Sequence, residues 1–364
     1  MAIVYGTQSK LILIPEKATE YGSIATFTSG GSEVVRGITQ PFVSESLKLS
    51  QQTLDSNSIN AYRGRLKPAL ANISVSGSIS TELSPQTSHF LLYAALGNVK
   101  REIVGGGFYT YTFSTESATQ PSFEADVDFG SNAAAAHRWS KFTGCKISNF
   151  ALQIPTNGFI TANYDVIGRT GASTNASSLT SGNAPYKTAS FKPFTSSNCS
   201  ITIGTTTAAI VETMSLQLNN SLDESVYTLT ADGLRADMPA GLQSVSGQIT
   251  LLLDAADASA LLTIANSSTP APSSLTIVLS HSADEKITLT LPNVLFEKTS
   301  PEIQGPGGVK FSLNYKAFYT INSSATTPLV PALTIAVAST EDPFELSSAT
   351  PPALLVPLIP KKTL

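Results

Sequence analysis

Hydrophobic and polar residues alternate at the start of the stretch 73–97 and then change their spacing. Val75 and Ile79 fall on one side of the alternating run, and serines fill most of the other side. A period of two predicts a β-strand. Ser84 then provides a suitable N-cap for an apolar run that ends at Gly97, a natural C-terminal stop. The stretch therefore predicts a strand that leads directly into a helix of about three turns.

Residues 243–265 repeat this pattern at a constant offset of 170 positions, without a gap. Gly77 of the first copy corresponds to Gly247 of the second. The strand that precedes each copy also matches, with Leu49 corresponding to Leu218. A strand, a cap and a helix that match in register indicate an internal duplication.

The composition favours β-structure in both copies. Charged residues make up only 13% of the 364-residue chain, and 24 glycines and 21 prolines separate short alternating runs. The length exceeds one ordinary core. The sequence therefore predicts a mainly β protein of two tandem domains, each with one short flanking α-helix. The predicted parts are a first domain with an N-terminal arm at 1–170, a linker at 171–185, a second domain at 186–321, and a Pro-, Ser- and Thr-rich C-terminal extension at 322–364.

A long polar segment separates two predicted strands in each half. Residues 51–71 are too long for a tight turn and have little apolar periodicity, which predicts a mobile loop or an extended hairpin. Residues 219–242 are its counterpart in the second half. Tyrosine and arginine are favoured at protein interfaces, so these loops are candidate contact surfaces, although an ordinary flexible loop fits the pattern equally well. The candidate contact residues are Tyr62, Arg63, Arg65, Lys67, Leu234 and Arg235.

The charge balance argues against a nucleic-acid-binding protein. The net charge is −4, and the densest basic cluster consists of Arg63, Arg65 and Lys67, whereas tight binding to phosphates usually needs several concentrated cations.

Cys145 and Cys199 lie far apart at non-equivalent places in the two halves, which predicts two reduced, half-buried thiols. The N-terminal segment lacks signal-peptide character, and the apolar C-terminal runs are too short and too broken by proline to span a membrane.

The sequence offers no persuasive catalytic constellation, and we expect neither a cofactor nor a metal. His89 falls on the predicted helix, His137 follows an alanine run, and His281 begins a turn. None of them accompanies a Cys, Ser or Asp motif with a recognisable mechanism, so we expect solvent-facing or capping roles.

Three carboxylates form the most distinctive polar pattern. Glu124, Asp126 and Asp128 are spaced by two, so their side chains should project from one face of a strand predicted at 121–130. This spacing predicts an acidic strip that faces solvent or a lumen. A cation site for an ion such as Ca²⁺ is the alternative, although no glycine-rich metal loop accompanies the three residues.

Several ordered pieces of the sequence resemble the tail tube (major tail) proteins of long-tailed bacteriophages. They are the N-terminal segment LILIPEKATEYGS, the strand and helix VSGSISTELSPQTSHFLLYAALG, the strands PSFEADVDFG and TGCKISNFALQIPTNGFITANYDVIGR, and the second-half opening SITIG with VETMSLQLNNSLDE. None of these pieces is a catalytic signature. The resemblance covers roughly residues 10–319.

The resemblance implies a β-sandwich or half-barrel with a flanking helix in each domain. It also implies a structural virion protein whose subunits join their sheets into rings that stack into a hollow tube. A tape-measure protein and transiting DNA would occupy a generally acidic lumen without sequence-specific binding. The implied partners are further copies of the chain and the tail terminator and tail tip proteins, with no membrane. The implied location is the phage tail, after synthesis in the host cytoplasm. In this family the long loop between the early strands commonly contacts the adjacent ring.

The duplication adds an expectation about stoichiometry. If a typical ring holds about six copies of one fold, a chain with two copies should close a ring of three chains with pseudo-sixfold symmetry. The extension 322–364 has no duplicate, and we expect it to decorate the exterior or to lace neighbouring subunits together. Two alternatives remain: a non-enzymatic β-sandwich that binds or decorates a virion or cell surface and, with less support, a hydrolytic enzyme, for which no acid–base pair is evident.

Overall fold

The computed structural model shows most of the chain as one connected β structure. In the part of the chain that it describes, no helix is both long and apolar enough to cross a membrane. The residues described are 4–29, 32–59, 63–105, 107–115, 117, 119–179, 185–186, 190–204, 206–207, 211–229, 233–253, 257–268, 271–303, 305–321 and 329–342.

The strands of the first half follow the alternating runs of the sequence. Helix α1 (His89–Leu96) lies between the seventh and eighth of them, and short 3-10 turns occupy Gly6–Gln8 and Ala135–His137. In chain order the strands are β1 (Lys10–Pro15), β2 (Phe27–Ser29), β3 (Ser32–Val34), β4 (Ile38–Gln40), β5 (Ser44–Glu45), β6 (Lys48–Leu54), β7 (Ala69–Glu82), β8 (Asn98–Gly105), β9 (Phe108–Ser114), β10 (Phe123–Asp128), β11 (Trp139–Ile154), β12 (Thr161–Gly168) and β13 (Thr170–Thr174).

The second half repeats the arrangement of long strands around one helix. Helix α2 (Asp257–Ala265) follows the fourth strand of this half, and a 3-10 turn occupies Ser196–Asn198. The strands are β14 (Cys199–Ile203), β15 (Thr206–Thr207), β16 (Val211–Asn219), β17 (Ser244–Leu252), β18 (Ser273–Ser280), β19 (Lys286–Phe296), β20 (Lys310–Ala317), β21 (Thr320–Ile321), β22 (Leu329–Val330) and β23 (Thr334–Ser339). The prediction of a mainly β chain with one short helix in each half is confirmed.

One antiparallel sheet runs without interruption from the first half into the second. Its strand order is β6–β7–β12–β11–β16–β17–β20. The second part of β11 is the centre of this sheet, because it pairs with β12 on one side and with β16 of the other half on the other side. We call these seven strands the central sheet. The two copies of the duplicated unit are therefore joined edge to edge.

The glycine shared by the two copies is required by close packing of neighbouring strands. A Cβ atom added to Gly77 would lie 2.5 Å from the Ser46 carbonyl oxygen. A Cβ atom added to Gly247 would likewise overlap the carbonyl oxygen of Ser215 on the neighbouring strand. Distances of this size are shorter than carbon and oxygen can approach, so both copies keep glycine where the strands come closest.

Helix α1 is shorter and more deeply buried than the sequence predicts. It begins at His89 after the N-cap position Ser88, and it spans eight residues, about two turns. Ser84 does not cap it, because the Ser84 hydroxyl accepts the Gln86 N–H at 3.3 Å within a preceding turn. Gly97 ends the helix in the left-handed conformation with φ 87°, as predicted. All eight helical residues are buried, so α1 is part of the core and not an amphipathic cover.

The C-terminal extension contributes a strand that joins the two halves. Strand β23 pairs with β9 of the first half on one edge and with β19 of the second half on the other. Leu333, Ile335 and Val337 bury their side chains at 1% exposure or less. The extension therefore laces together two parts of its own chain, whereas we expected decoration or contacts with neighbouring subunits. Residues 322–328 and 343–364 lie outside the described part.

Three other predicted boundaries differ from the structure. Residues 171–174 of the predicted linker belong to β13, which pairs with the first part of β11. A small residue is needed there, since a Cβ atom on Gly171 would lie 2.9 Å from the Phe142 ring. Residues 104–107 predict a turn, but β8 continues to Gly105. Residues 286–291 and 294–303 predict two strands, whereas β19 runs unbroken over Lys286–Phe296. The division of the chain at residues 171–185 stays a prediction.

Candidate assembly surfaces

The first candidate surface is the outer edge of β6. Within the described residues, β6 pairs with β7 along one edge, no strand pairs with its other edge, and all seven of its residues are exposed. Ile73 of β7 directs its N–H to Gly233, away from β6, with an N–O distance of 2.8 Å. Hydrogen bonds alternate along antiparallel pairs, so Gln51 and Leu49, which lie opposite Ile73 and Val75, direct their own N–H groups outward. Strand β6 therefore presents unpaired backbone groups to a further strand.

Residues 297–303 lie beside β20 at the other end of the central sheet, where they form no regular strand but bridge Lys310 through Glu302. Phe296 pairs with Tyr315, and Glu302 bridges Lys310. Between these two pairings the segment advances by six residues, whereas β20 advances by five, so the segment contains one extra residue. The same one-residue shift interrupts the ladder between β11 and β12. The segment therefore occupies the place that the second part of β11 has in the first half. No strand in the described part of the chain pairs with its outer edge.

The junction between β11 and β16 shows how two such edges fit together. Phe150 pairs with Leu218, and Leu152 pairs with Leu216, in antiparallel register. All four side chains are at most 1% exposed. Leu49, the counterpart of Leu218 on the open edge of β6, is 46% exposed. The same position of the repeat is therefore buried at the β11–β16 junction, as Leu218, and exposed on the open edge of β6, as Leu49.

A lattice of uncharged polar side chains covers the face of the central sheet opposite α1. On β7 this face carries Ser74, Ser76, Ser78 and Ser80, which alternate with the buried Val75 and Ile79. Amide side chains link neighbouring strands: the distances are 3.1 Å from Gln217 Nε2 to Asn149 Oδ1 and 2.9 Å from Gln248 Nε2 to Asn314 Oδ1. Among these groups the Asp165 carboxylate accepts hydrogen bonds from Asn149 and Asn163. The face is hydrophilic and carries charges of both signs, since Lys48 lies opposite Ser76, Lys316 lies opposite Ser246, and Glu82 follows the serines at the end of β7.

The long loop of the second half folds back onto the first half. Arg235 is 4% exposed and donates from Nη1 to the Gly168 carbonyl oxygen at 2.7 Å. The Gly233 carbonyl accepts the Ile73 N–H, and half-buried Leu234 lies between Gly233 and Arg235. Arg235 is therefore a contact residue between the two halves of one chain. The expectation that it is an exposed contact to another copy is wrong for this residue, because its own first half buries it.

Further polar contacts hold this loop in place. Lys146 Nζ lies 2.9 Å from Asp237 Oδ1 and donates to the Met238 carbonyl at 2.8 Å. Tyr227 donates its hydroxyl to the Ile73 carbonyl at 3.1 Å, and its ring lies under the Arg235 guanidinium. Lys146 of the first half and Arg235 of the second half are both buried, and each donates hydrogen bonds to acceptors on the other half of the chain.

The long loop of the first half projects into solvent as an extended hairpin. Strands β6 and β7 continue to Leu54 and from Ala69, so the hairpin alternative is confirmed for the described residues. Arg63, Arg65 and Lys67 are exposed. Arg65 forms an ion pair with Asp55 on the opposite arm. Tyr62 lies outside the described residues.

The predicted acidic strip is buried, which contradicts its expected exposure to solvent or a lumen. Glu124, Asp126 and Asp128 do lie on one strand, but each is at most 2% exposed. Asp128 accepts two hydrogen bonds from Arg138, at 2.8 and 2.9 Å, and one from the Gly130 N–H. Burial opposes ionisation of Asp128, but these donors outweigh it and lower its pKa.

The other two carboxylates are covered by residues that were predicted as linker. Asp126 accepts hydrogen bonds from the Ser177 hydroxyl at 2.6 Å and the Ser178 N–H at 2.8 Å. Burial, reinforced by the neighbouring Asp126 carboxylate, raises the pKa of Glu124 to about 8. No group of three metal-ligating side chains is present among the described residues. The sequence could not show the burial, because the covering serines lie about fifty positions further along the chain.

The raised pKa of Glu124 predicts that stability falls as pH rises. In the unfolded chain the pKa of this carboxyl is near the ordinary value of 4.5, whereas in the folded chain its pKa is about 8. Unfolding therefore releases a proton between these values, and the free energy of unfolding should decrease from about pH 5 to about pH 9. Glu124→Gln should remove much of this decrease, as measured by urea unfolding at both pH values. Glu20→Gln, at an exposed glutamate, is the control and should retain it. Equal slopes for the wild type and Glu124→Gln would contradict the prediction.

A buried polar cluster connects distant segments of the first half. Glu16 accepts the Gly144 N–H at 2.6 Å and the Gly22 N–H at 3.0 Å. Tyr21 donates its hydroxyl to the Gly144 carbonyl at 2.7 Å, and Arg169 Nη1 donates to the Tyr21 carbonyl at 3.0 Å. Gly144 has φ 65°, which favours glycine. Glu16, Tyr21 and Gly22 belong to the segment LILIPEKATEYGS, and Gly144 and Arg169 lie near the two ends of the segment TGCKISNFALQIPTNGFITANYDVIGR. Both segments are among those that resemble the tail tube family.

The histidines divide into one core residue and two surface residues. His89 is 1% exposed and meets the Tyr111 ring edge-on, with ring centroids 5.0 Å apart. Burial lowers the pKa of His89 to about 3, so it is neutral at physiological pH. The expectation of a solvent-facing or capping role is wrong for His89, because β9 packs over the helix. His137 and His281 are exposed, as expected.

The two cysteines are free, as expected, but they are buried to different degrees. Cys145 is fully buried, and Cys199 is partly buried. Burial raises the pKa of both thiols, so neither is activated as a nucleophile. The prediction of two half-buried thiols is therefore wrong for Cys145, which lies beneath the contact between β10 and β11.

Comparison with known families places these features in context. A family described as phage tail tube protein matches residues 6–317 of the sequence. The chain belongs to the phage tail tube protein family. The match to this tail tube family covers both halves of the duplication, the central sheet and both open edges. A search of curated proteins finds no significant match.

Sequence reasoning missed two features of this tail tube family member. One is the position of residues 297–303 beside β20, which depends on which strands neighbour this segment in space. The Glu16 cluster had a signal in the sequence, since its members fall within the pieces that resemble the tail tube family. Only the fold shows that these pieces meet.

Proposed function

We propose that this chain is the structural subunit of a hollow phage tail tube and that its rings close through the two open sheet edges. The observation that carries the proposal is the β11–β16 junction, where two copies of the unit already join within one chain. Strand β6 is the counterpart of β16, and residues 297–303 are the counterpart of the second part of β11. The second half of one chain therefore offers the first half of the next chain the same pair of edges.

Repetition of one junction generates a closed ring if the rotation closes. With two units in each chain, three chains supply about six units, which gives a trimeric ring with pseudo-sixfold symmetry. Junctions within and between chains then alternate around the ring. The two open edges of the central sheet, which would otherwise favour uncontrolled aggregation, are both paired in such a ring.

The polar face of the central sheet is suited to line the lumen. Its hydroxyl and amide groups are hydrated, and its lysines are balanced by carboxylates, as in the pair of Lys316 and Glu297, so DNA phosphates meet neither a cluster of cations nor strong repulsion. The acidic residues that the sequence suggested for a lumen lie instead in the core. Transiting DNA and a tape-measure protein would pass this face without sequence-specific binding.

The remaining partners follow from a place in the tail. A tube of stacked rings must end at a tail terminator on one side and at tail tip proteins on the other. Subunits would be made in the host cytoplasm and become part of the virion. The role is structural, and no step of it requires a cofactor.

Electron microscopy of the purified chain tests the proposal. We expect rings, and short stacks of rings at high protein concentration, with native mass spectrometry giving three chains of 38.1 kDa per ring. A chain that stays monomeric at high concentration under every salt condition would overturn the proposal and favour a binding or decoration protein. Rings of six chains would retain the tube but overturn the trimeric stoichiometry.

A further inference from the structure

We propose that the side chains of Asn266 and Glu45 occupy the two open edges of the central sheet in the free chain and that a strand of the next copy displaces each of them when a ring closes. This inference rests on the proposed ring and names what controls its junction. The partner is a second copy of this chain. Ring closure is then an exchange of hydrogen bonds to side chains for hydrogen bonds between strands.

The internal junction indicates which residues of two copies would meet. Residues 297–303 follow β20 with the same one-residue shift that the second part of β11 has beside β12, so Thr299 corresponds to Phe150. Phe150 lies opposite Leu218 at the β11–β16 junction. Leu49 is the counterpart of Leu218 on the open edge of β6. The ring therefore places Thr299 of one copy opposite Leu49 of the next.

At the internal junction the backbone of Phe150 bonds directly to β16. The Asn220 N–H donates to the Ser148 carbonyl at 2.9 Å across this junction. Hydrogen-bonded pairs recur at every second residue of an antiparallel ladder, so Phe150 and Leu218, two positions further along, exchange both of their backbone hydrogen bonds. A ring junction of the same kind uses the N–H and the carbonyl of Thr299.

In the free chain both of these backbone groups of Thr299 are bonded to one side chain. The Thr299 N–H donates to Asn266 Oδ1 at 3.2 Å, and Asn266 Nδ2 donates to the Thr299 carbonyl at 2.8 Å. A side-chain amide offers a donor and an acceptor, as a peptide group does, so Asn266 takes the place of a neighbouring strand. Its counterpart in the first half is the buried Leu96, which has neither group. The amide is present in the copy with the open edge and absent from the copy with the covered one.

The open edge at β6 has a corresponding bond immediately before the strand begins. Ser46 directs its N–H to β7, with an N–O distance of 3.0 Å, so the neighbouring Leu47 directs its own N–H outward. Glu45 Oε2 accepts this N–H at 3.0 Å. Met214, the counterpart of Glu45 in β16, is buried and has no carboxylate. Here too the acceptor occurs only where the edge is open.

Both side-chain bonds favour the free chain over the ring. Each must break before a strand of the next copy can bond the same backbone group, and the released amide or carboxylate returns to water. Such bonds protect an open sheet edge from indiscriminate pairing. They also predict that removal of either side chain makes assembly easier. A side chain that formed part of the ring junction would have the opposite effect.

Assembly measurements on Asn266→Ala test the inference. Loss of the competing amide should lower the midpoint concentration of ring assembly about fivefold, as measured by sedimentation velocity. Ser268→Ala, at an exposed position two residues further along, is the matched control and should change the midpoint by less than about twofold. An unchanged or raised midpoint for Asn266→Ala would overturn the inference and leave the proposed ring intact. Rings from neither the wild type nor any variant would overturn both.

Glu45→Ala tests the other edge, and a thermal melt verifies that each variant folds. The midpoint should fall by a similar factor, whereas Glu102→Ala, which removes an exposed carboxylate from β8, is the control for the change in charge. In the free chain Asn266 and Glu45 act at opposite ends of the central sheet, so the double variant should show the product of the two separate effects. A double variant that assembles no more readily than the single ones would overturn independent action at two edges.

Amide hydrogen exchange follows the Asn266 contact without any ring. In protein kept below the assembly midpoint, the Thr299 amide should exchange about fivefold faster in Asn266→Ala than in the wild type, as measured by nuclear magnetic resonance. The amide of Leu313, on the neighbouring β20, should exchange at the same rate in both proteins. Equal exchange at Thr299 would show that Asn266 does not hold this edge and would overturn the inference whatever the assembly result.

Discussion

Leu49→Pro is expected to stop ring closure while leaving the chain folded. Leu49 directs its N–H away from β7, so proline at this position breaks no hydrogen bond between β6 and β7. The same substitution removes an outward donor from the open edge and places a bulky ring there. Loss of one backbone hydrogen bond at each junction, about 1 kcal/mol, together with the steric clash should raise the assembly midpoint by at least about tenfold.

Sedimentation velocity and electron microscopy measure this effect, and a thermal melt verifies the fold. Leu49→Val is the matched control, because valine keeps the N–H and suits a strand. The control should form rings as the wild type does. Rings of normal abundance from a folded Leu49→Pro protein would show that β6 does not form the junction, and the proposed ring would have to close through another surface.

Ile335→Ala is expected to destabilise the chain by about 3 kcal/mol, which is typical of truncating a fully buried large aliphatic side chain. Ile335 lies on β23, is 1% exposed, and pairs with Phe113 of one half and Leu289 of the other. The cavity would therefore open where the two halves meet. A loss of this size is a large fraction of the stability of an ordinary domain.

Urea unfolding of both proteins at one pH gives the change in the free energy of unfolding. The matched control is Ala336→Ser, which alters the neighbouring, half-buried position on the other face of the same strand and should cost less than about 0.5 kcal/mol. A result in which Ile335→Ala costs no more than the control would mean that β23 is not packed between β9 and β19. Such a result would favour the original expectation that the C-terminal extension decorates the exterior or contacts neighbouring subunits.

Local patterns predicted most of the individual elements. The alternating run at 139–154 predicts a strand with the bounds of β11, the aromatic and threonine run at 108–114 predicts β9, and the duplicated strand–helix unit predicts α1 and α2. Such signals succeed because they are set by residues close in sequence: side-chain period, caps and turn residues. The predicted start of α1 is four residues too early because Ser84 is a favoured N-cap residue type, whereas packing against β9 and β11 begins the helix after Ser88, whose hydroxyl donates to the Ser84 carbonyl.

The candidate surfaces were predicted less completely. The exposure of Arg65 follows from a polar, non-periodic segment. The burial of Arg235 does not, because it depends on the carbonyl of Gly168, a residue 67 positions away. The same limit explains the acidic residues: Glu124 to Asp128 read as a surface strip until the segment that includes Ser177 covers them.

Periodicity, caps and the constant offset of 170 positions predicted a mainly β chain with an internal duplication, because these are local or self-comparative properties, whereas the tail tube family was indicated by the resemblance of its ordered pieces. Only the tertiary structure decided which edges stay open, which loop docks, and where the C-terminal strand inserts. The physical reason is that backbone hydrogen bonding between strands is almost independent of side-chain identity. The choice of neighbours is therefore made by packing across the whole chain. The Val75–Ile79 strand illustrates both parts: its alternation predicted a strand, and its position beside β6 and β12 could be known only from the fold.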